Sequence, residues 1–69
     1  MNIILNHNPE IIETNSDSIT ISELLKIKSF TYKQLIVKVN DVLVLNENYS
    51  TTSIKGGDNV MVIHLMTGG

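Results

Sequence analysis

Apolar residues fall in short runs separated by polar clusters, and the spacing within each run sets the element it should form. Ile3-Ile4-Leu5 is followed by His7-Asn8-Pro9. An Asn-Pro step turns the chain, because proline fixes φ and pushes the preceding residue away from helix. A second run, Ile11-Ile12, comes next, so 1–6 and 10–14 are predicted to pair as a hairpin. Asn15-Ser16-Asp17-Ser18 is polar and turn-forming, a loop. Thr20 and Glu23 then stand three apart, as a capping box requires: the hydroxyl accepts from the N–H of residue 23 while the carboxylate reaches back to the N–H of Thr20. Ile19 is placed to staple onto Leu24, and Ile21, Leu24 and Leu25 share one helical face. The spacing predicts a helix from 21 to about 28, with Lys26 and Lys28 near its end complementing the dipole.

Beyond a connection at Phe30-Thr31-Tyr32-Lys33, the run Leu35-Ile36-Val37-Lys38-Val39 is β-branched, with Leu35, Val37 and Val39 on one face. Asn40-Asp41 reads as a turn into Val42-Leu43-Val44-Leu45. Residues 46–53 are polar around Tyr49, a loop with one turn of helix in which Tyr49 serves as an apolar plug. Gly56-Gly57-Asp58-Asn59 is a turn. The last run, Val60 to Met66, is nearly continuous in apolar residues, as expected of a central strand.

The order ββαββ, a turn, then β places the helix between the hairpin and the third strand, as a right-handed crossover. The fold class predicted is α+β: a mixed sheet of about five strands with one main helix packed on one face, the ubiquitin-like β-grasp layout. Residues 1–66 would form the domain and 67–69 a flexible tail. Alternation in the last strand makes both sheet faces apolar. Alternation alone does not decide which set faces the helix. Val60 and Val62 are preferred for the core, which leaves Met61, Ile63 and Leu65 as a candidate docking face that one helix cannot cover, with coverage by loops the alternative.

Composition narrows the function. The chain has 69 residues, 42% hydrophobic and 17% charged, too apolar for disorder and long enough for one small core. The absence of cysteine excludes a disulfide staple, a cysteine-ligated metal and a thiol nucleophile. In a domain this small it also favours the cytoplasm. No signal peptide is expected from the first residues, and no apolar run approaches the ~20 residues of a membrane span. Net charge is −2, and Lys26, Lys28, Lys33, Lys38 and Lys55 form no stripe that would follow phosphates, so neither nucleic acid nor membrane is an expected partner. His7 and His64 lack the company of a metal site and read as a turn and a strand residue. Ser22, Ser29, Ser50 and Ser53 sit in no nucleophile elbow, and Gly56-Gly57 opens no phosphate loop. No catalytic residue is expected.

What remains is the end of the sequence, Thr67-Gly68-Gly69. A terminal carboxylate, with a pKa of about 3.3–3.7, is an oxygen nucleophile at neutral pH. Activated as a mixed anhydride, it can exchange its leaving group for sulfur in two manageable steps. Glycines let such a carboxylate thread a narrow channel, since they add no bulk and reach conformations closed to other residues. Two glycines at a random terminus arise at roughly 0.5%, and the chain has a second doublet at Gly56-Gly57, so the pair gains weight from the strand before it.

Taken together, Ile3, Leu5 and Asn6 in the first strand, the helix start Thr20-Ile21-Ser22-Glu23-Leu24-Leu25, Val39-Asn40 before an apolar strand, and Lys55-Gly56-Gly57-Asp58 with terminal Gly68-Gly69 resemble the thiamin-pathway sulfur carriers. That family is similar to ubiquitin and to the small subunit of molybdopterin synthase. The chain departs from it at Asp41, where a turn glycine is common, and at Thr67, where many members carry a third glycine. The resemblance implies a carrier, not an enzyme, that binds no cofactor of its own. An E1-like adenylating partner would use ATP to activate the Gly69 carboxylate, with Gly68 and Thr67 entering that partner. A sulfur donor system would convert it to a thiocarboxylate, and thiazole synthase would consume the sulfur. The alternatives are the molybdopterin-synthase type of carrier and a non-covalent ubiquitin-like interaction domain.

Overall fold

The computed structural model describes residues 1–30 and 34–64. These described residues form seven strands, one α-helix and one 3₁₀ turn: β1 (Asn2–Leu5), β2 (Asn8–Ile11), β3 (Ser18–Thr20), α1 (Ile21–Ile27), β4 (Leu35–Val39), β5 (Val42–Val44), the 3₁₀ turn Asn46–Asn48, β6 (Ser53–Lys55) and β7 (Asn59–His64). The main sheet has five strands in the order β2-β1-β7-β4-β5, with β7 parallel to β1 and antiparallel to β4. A separate ribbon pairs β3 with β6. The mixed five-stranded sheet with one helix is the expected architecture, and the last strand is central.

The first hairpin differs from expectation. Its turn is the two residues Asn6 and His7, with φ of 51° and 70°, and Leu5 already faces Asn8. Two left-handed residues in a row make the primed turn whose twist suits a hairpin, and Asn tolerates that region. The second strand therefore begins at Asn8, and Pro9 lies within it, opposite Ile4. Met1 and Ile12 exchange both backbone bonds, Ile12 N–H to Met1 O at 2.8 Å and Met1 N to Ile12 O at 3.0 Å. Counting by twos from that pair puts Ile4 and Pro9 at a non-hydrogen-bonded position. Proline's missing N–H thus faces outward from an edge strand, where it costs no ladder bond.

Helix α1 starts where its capping box directs. Thr20 Oγ1 accepts from the Glu23 N–H at 3.1 Å, and the Thr20 N–H donates to Glu23 Oε1 at 3.1 Å. The next two orphan donors are also met: Ile21 N–H donates to the Thr52 carbonyl and Ser22 N–H to that of Tyr49. The helix ends at Lys28 in a pair of bonds unsignalled in the sequence. Phe30 N–H reaches the Leu25 carbonyl at 2.8 Å and Ser29 N–H that of Lys26 at 3.2 Å, with Ser29 at φ 60°. This Schellman closure normally carries glycine at the left-handed residue. Its apolar companions, Leu25 and Phe30, both pack against the core.

Strands β3 and β6 were not expected: each takes one residue, Ser18 or Ser53, from a segment that reads as loop, and β3 continues through Ile19 into the cap residue Thr20. Ile19 and Ile54 face each other across this ribbon, and both are buried. Ile19 is thus a core residue in a strand as well as the neighbour of the helix cap. The 3₁₀ turn falls within the polar segment expected to hold one turn of helix. Tyr49 follows it and packs against the core, its hydroxyl donating to the Leu35 carbonyl at 3.5 Å, and burial pushes its phenol above the usual value. The core joins the sheet to the helix: Ile3, Leu5, Val37, Val44, Val60 and Val62 face Ile21 and Leu24, with Ile12, Ile19 and Ile54 closing the ends. No helix among the described residues is long and apolar enough to cross a membrane.

Candidate functional site

The residues leading to the chain end are carried by β7, and three contacts fix where that strand points. On one side β4 pairs with it over its whole later length, from Val39 opposite Val60 to Leu35 opposite His64. On the other side β1 pairs only with Asn59 and Val60. Beyond that, Asn6 takes over: its N–H donates to the Val60 carbonyl at 2.9 Å, and its side-chain Oδ1 accepts the Val62 N–H at 2.8 Å. Asn6 extends β1 by a rung although its backbone has already turned away. The start of β7 is clamped as well. Asn40 and Asn59 exchange bonds, Asn40 N–H to the Asn59 carbonyl at 2.7 Å and Asn59 N–H to Asn40 Oδ1 at 2.9 Å.

Asp58 completes this clamp. It is the buried charged residue just before β7, accepting from the Lys55 N–H at 2.9 Å and from Asn40 Nδ2 at 3.1 Å, with Lys55 Nζ at 3.5 Å. Burial alone would raise its carboxyl, but these donors and the lysine charge together hold it below the ordinary aspartate value. A lowered folded pKa means that the clamp contributes stability above the unfolded pKa and loses it as pH falls through the folded one. Asn40 and Asp41 make the same primed turn as Asn6 and His7, at φ 49° and 68°. Asp41 therefore occupies a glycine-favouring conformation that aspartate tolerates.

The two faces of β7 are cleanly divided. Val60 and Val62 are buried against the helix side, the set preferred for the core from the sequence. Met61 and Ile63 point to the opposite face, where no helix lies; Met61 is half-buried and Ile63 exposed. Leu65, Thr67, Gly68 and Gly69 lie outside the described residues. On the same open face stand Ile4 and Ile36, with Leu43 exposed on β5. His7 sits in the hairpin turn and His64 ends β7. The roles of Asn6 and Asn40 were not foreseen; an asparagine followed by a polar residue between two apolar runs is the only local trace of either.

Asn6 yields a specific expectation. Asn6→Gly keeps the left-handed turn but removes the acceptor, whereas Asn6→Asp keeps both. The Val62 amide should exchange about tenfold faster in the glycine variant, a loss of roughly 1.4 kcal/mol for one buried bond, and near the wild-type rate in the aspartate variant. Amide exchange followed by NMR checks this; equal protection in both variants would show that Asn6 Oδ1 does not hold the strand.

A mixed five-stranded sheet around one helix, with its central strand last in the described chain and a Gly68-Gly69 end beyond it, defines a ubiquitin-like β-grasp protein. Within that class the chain belongs to the ThiS family, whose model matches residues 3–69. The fold is similar to the crystal structure of the thiamine biosynthesis protein ThiS from Geobacter metallireducens, with a TM-score of 0.84, 28% identity and 100% of each chain covered. It is similar also to the solution structure of a thiamine biosynthesis protein from the same organism, at a TM-score of 0.76 and 28% identity, covering 100% of this chain and 88% of that one. No curated protein matches the chain significantly.

Proposed function

We propose that this chain is a sulfur carrier of thiamin biosynthesis, working through the carboxylate of Gly69. The observation that supports the reading is the family match over residues 3–69, a span that includes Gly68 and Gly69. The geometry of β7 supports it: a strand clamped at Asn59 and at Val62 gives whatever follows a fixed point of departure.

The chemistry balances in two displacements. A Gly69 carboxylate oxygen attacks the α-phosphorus of ATP held by an E1-like adenylating partner, and pyrophosphate leaves. A hydrosulfide equivalent from the sulfur donor system attacks the acyl carbon, and AMP leaves, so that one carboxylate oxygen has been replaced by sulfur. The thiocarboxylate then supplies sulfur to thiazole synthase. The chain contributes the acyl group and its presentation; ATP is bound by the partner. The face carrying Met61 and Ile63 is the docking surface in this reading, with Leu65 proposed to join it on binding, and Thr67 and Gly68 enter the partner's channel.

Incubation with ATP, the adenylating enzyme of the chain's own source and a sulfide source should raise the intact mass by about 16 Da, located at Gly69. An unchanged mass, with the enzyme shown to be active on another carrier, would overturn the proposal. Unimpaired partner binding and cellular function in a chain lacking Gly68 and Gly69 would favour a non-covalent interaction domain.

A further inference from the structure

The described strand positions on the open face of the sheet carry one charged side chain. Lys38 on β4 is paired with Met61 on β7 and with Leu43 on β5, and Ile36 and Ile63 lie two residues along on the same face. Every other described strand position on that face is apolar or an asparagine, so Lys38 is its single charge. The side chain is exposed, and its ammonium has no hydrogen-bond or ion-pair partner among the described residues. Lys28 and Lys55, in contrast, are occupied within the chain, by Glu10 and by Asp58.

We infer that Lys38 receives a carboxylate that the docking partner presents within an otherwise apolar patch, and that this pair sets the orientation of docking. The inference rests on the carrier reading and names the chemistry of the surface its partner must offer. A partner closing over Met61, Leu43, Ile36 and Ile63 strips water from the ammonium in their midst. Burying a charge unpaired is costly, so a wholly apolar or cationic patch is a poor fit, whereas a carboxylate restores the lost solvation and repels wrong partners. Apolar contact on a nearly flat surface is non-directional and leaves rotation about the face normal poorly determined. One charge pair placed among the apolar contacts removes that freedom. Rotation matters here because β7 runs through the same face and leads to Gly69, so the angle of docking decides where the carboxylate arrives.

The test uses the full chain with Lys38→Met, Lys38→Arg and Lys38→Glu, titrated against the adenylating enzyme at low and moderate salt. Lys38→Met should weaken binding by about 30-fold by leaving the partner's carboxylate buried and unpaired, and Lys38→Glu by roughly 100-fold or more; Lys38→Arg should stay within about threefold. The salt dependence of the wild-type Kd should flatten in Lys38→Met, a change that loss of packing alone would not produce. Thermal melts of the free variants should match wild type, since Lys38 holds no partner among the described residues. If the wild-type chain gains its sulfur normally but Lys38→Met binds as tightly with the same salt dependence, the inference is overturned and the carrier reading stands. If the wild-type chain is never modified, the carrier reading falls and this inference with it.

Discussion

Gly68→Val is expected to slow adenylation by about 10²-fold while leaving the melting temperature of the free domain where it was. A carboxylate that must reach a nucleotide in an enclosed site has to place its reacting oxygen within a fraction of an ångström, and misplacement by about 1 Å can cost that factor. Valine adds two methyl groups to a segment that must pass a channel and confines the backbone to fewer conformations than glycine reaches. The last buried residue of the described core is Val62, well before the tail, so the free protein has little reason to respond. ATP–pyrophosphate exchange catalysed by the adenylating partner, run beside a melt of the variant alone, gives both readouts. Equal exchange rates for variant and wild type would remove the threading argument. Deletion of Gly69 is the stronger form of the same change and should abolish the gain in mass altogether.

The largest expected effect on the fold belongs to Leu24→Ala. Leu24 is 0% exposed and belongs to the buried cluster that also holds Ile21, Val37, Val60 and Val62. Cutting its isobutyl side chain back to a methyl should cost about 2–5 kcal/mol, from lost burial and the cavity left behind. A domain of this length has roughly 3–10 kcal/mol in total, so the variant should be largely unfolded or should unfold at a much lower urea concentration. Circular dichroism across a urea titration measures it. A midpoint shift equivalent to less than about 1 kcal/mol with an unchanged slope would mean that the helix is not anchored through Leu24.

Elements written in a few neighbouring residues were legible in the sequence. The capping box needs only Thr20 and Glu23, and its two bonds stand as expected. The Asn40-Asp41 turn and the long apolar run of β7 are equally local; alternation separates Val60 and Val62 from Met61 and Ile63, but only the packed core shows that the valines point inward. Pro9 misled for a reason that is also local: its turn signal is real, but an edge strand accepts it at a position whose N–H would face outward. The turn was therefore placed one or two residues late. Ser29 carries no glycine signal, so the Schellman closure after the helix was not anticipated.

Strands β3 and β6 show where local reading stops. Each has three residues and a single apolar one, Ile19 or Ile54, which is too little alternation to declare a strand. Their pairing joins positions 35 residues apart, and only the collapsed core brings them together. The same holds for the clamps on β7. That Asn6 Oδ1 should meet an N–H at position 62, or that Asn40 should bridge Asp58 and Asn59, depends on which strands become neighbours. The sequence by itself determined the helix start, the turns with their own chemistry, the apolar periodicity of the last strand and the glycines at its end, because each rests on contacts within a few residues. The tertiary structure alone decided which strands adjoin, which side chains finish the ladder beside β7, and that Lys38 is the one charge among the described strand positions of the open face, because each depends on groups that meet only when the sheet closes over the helix.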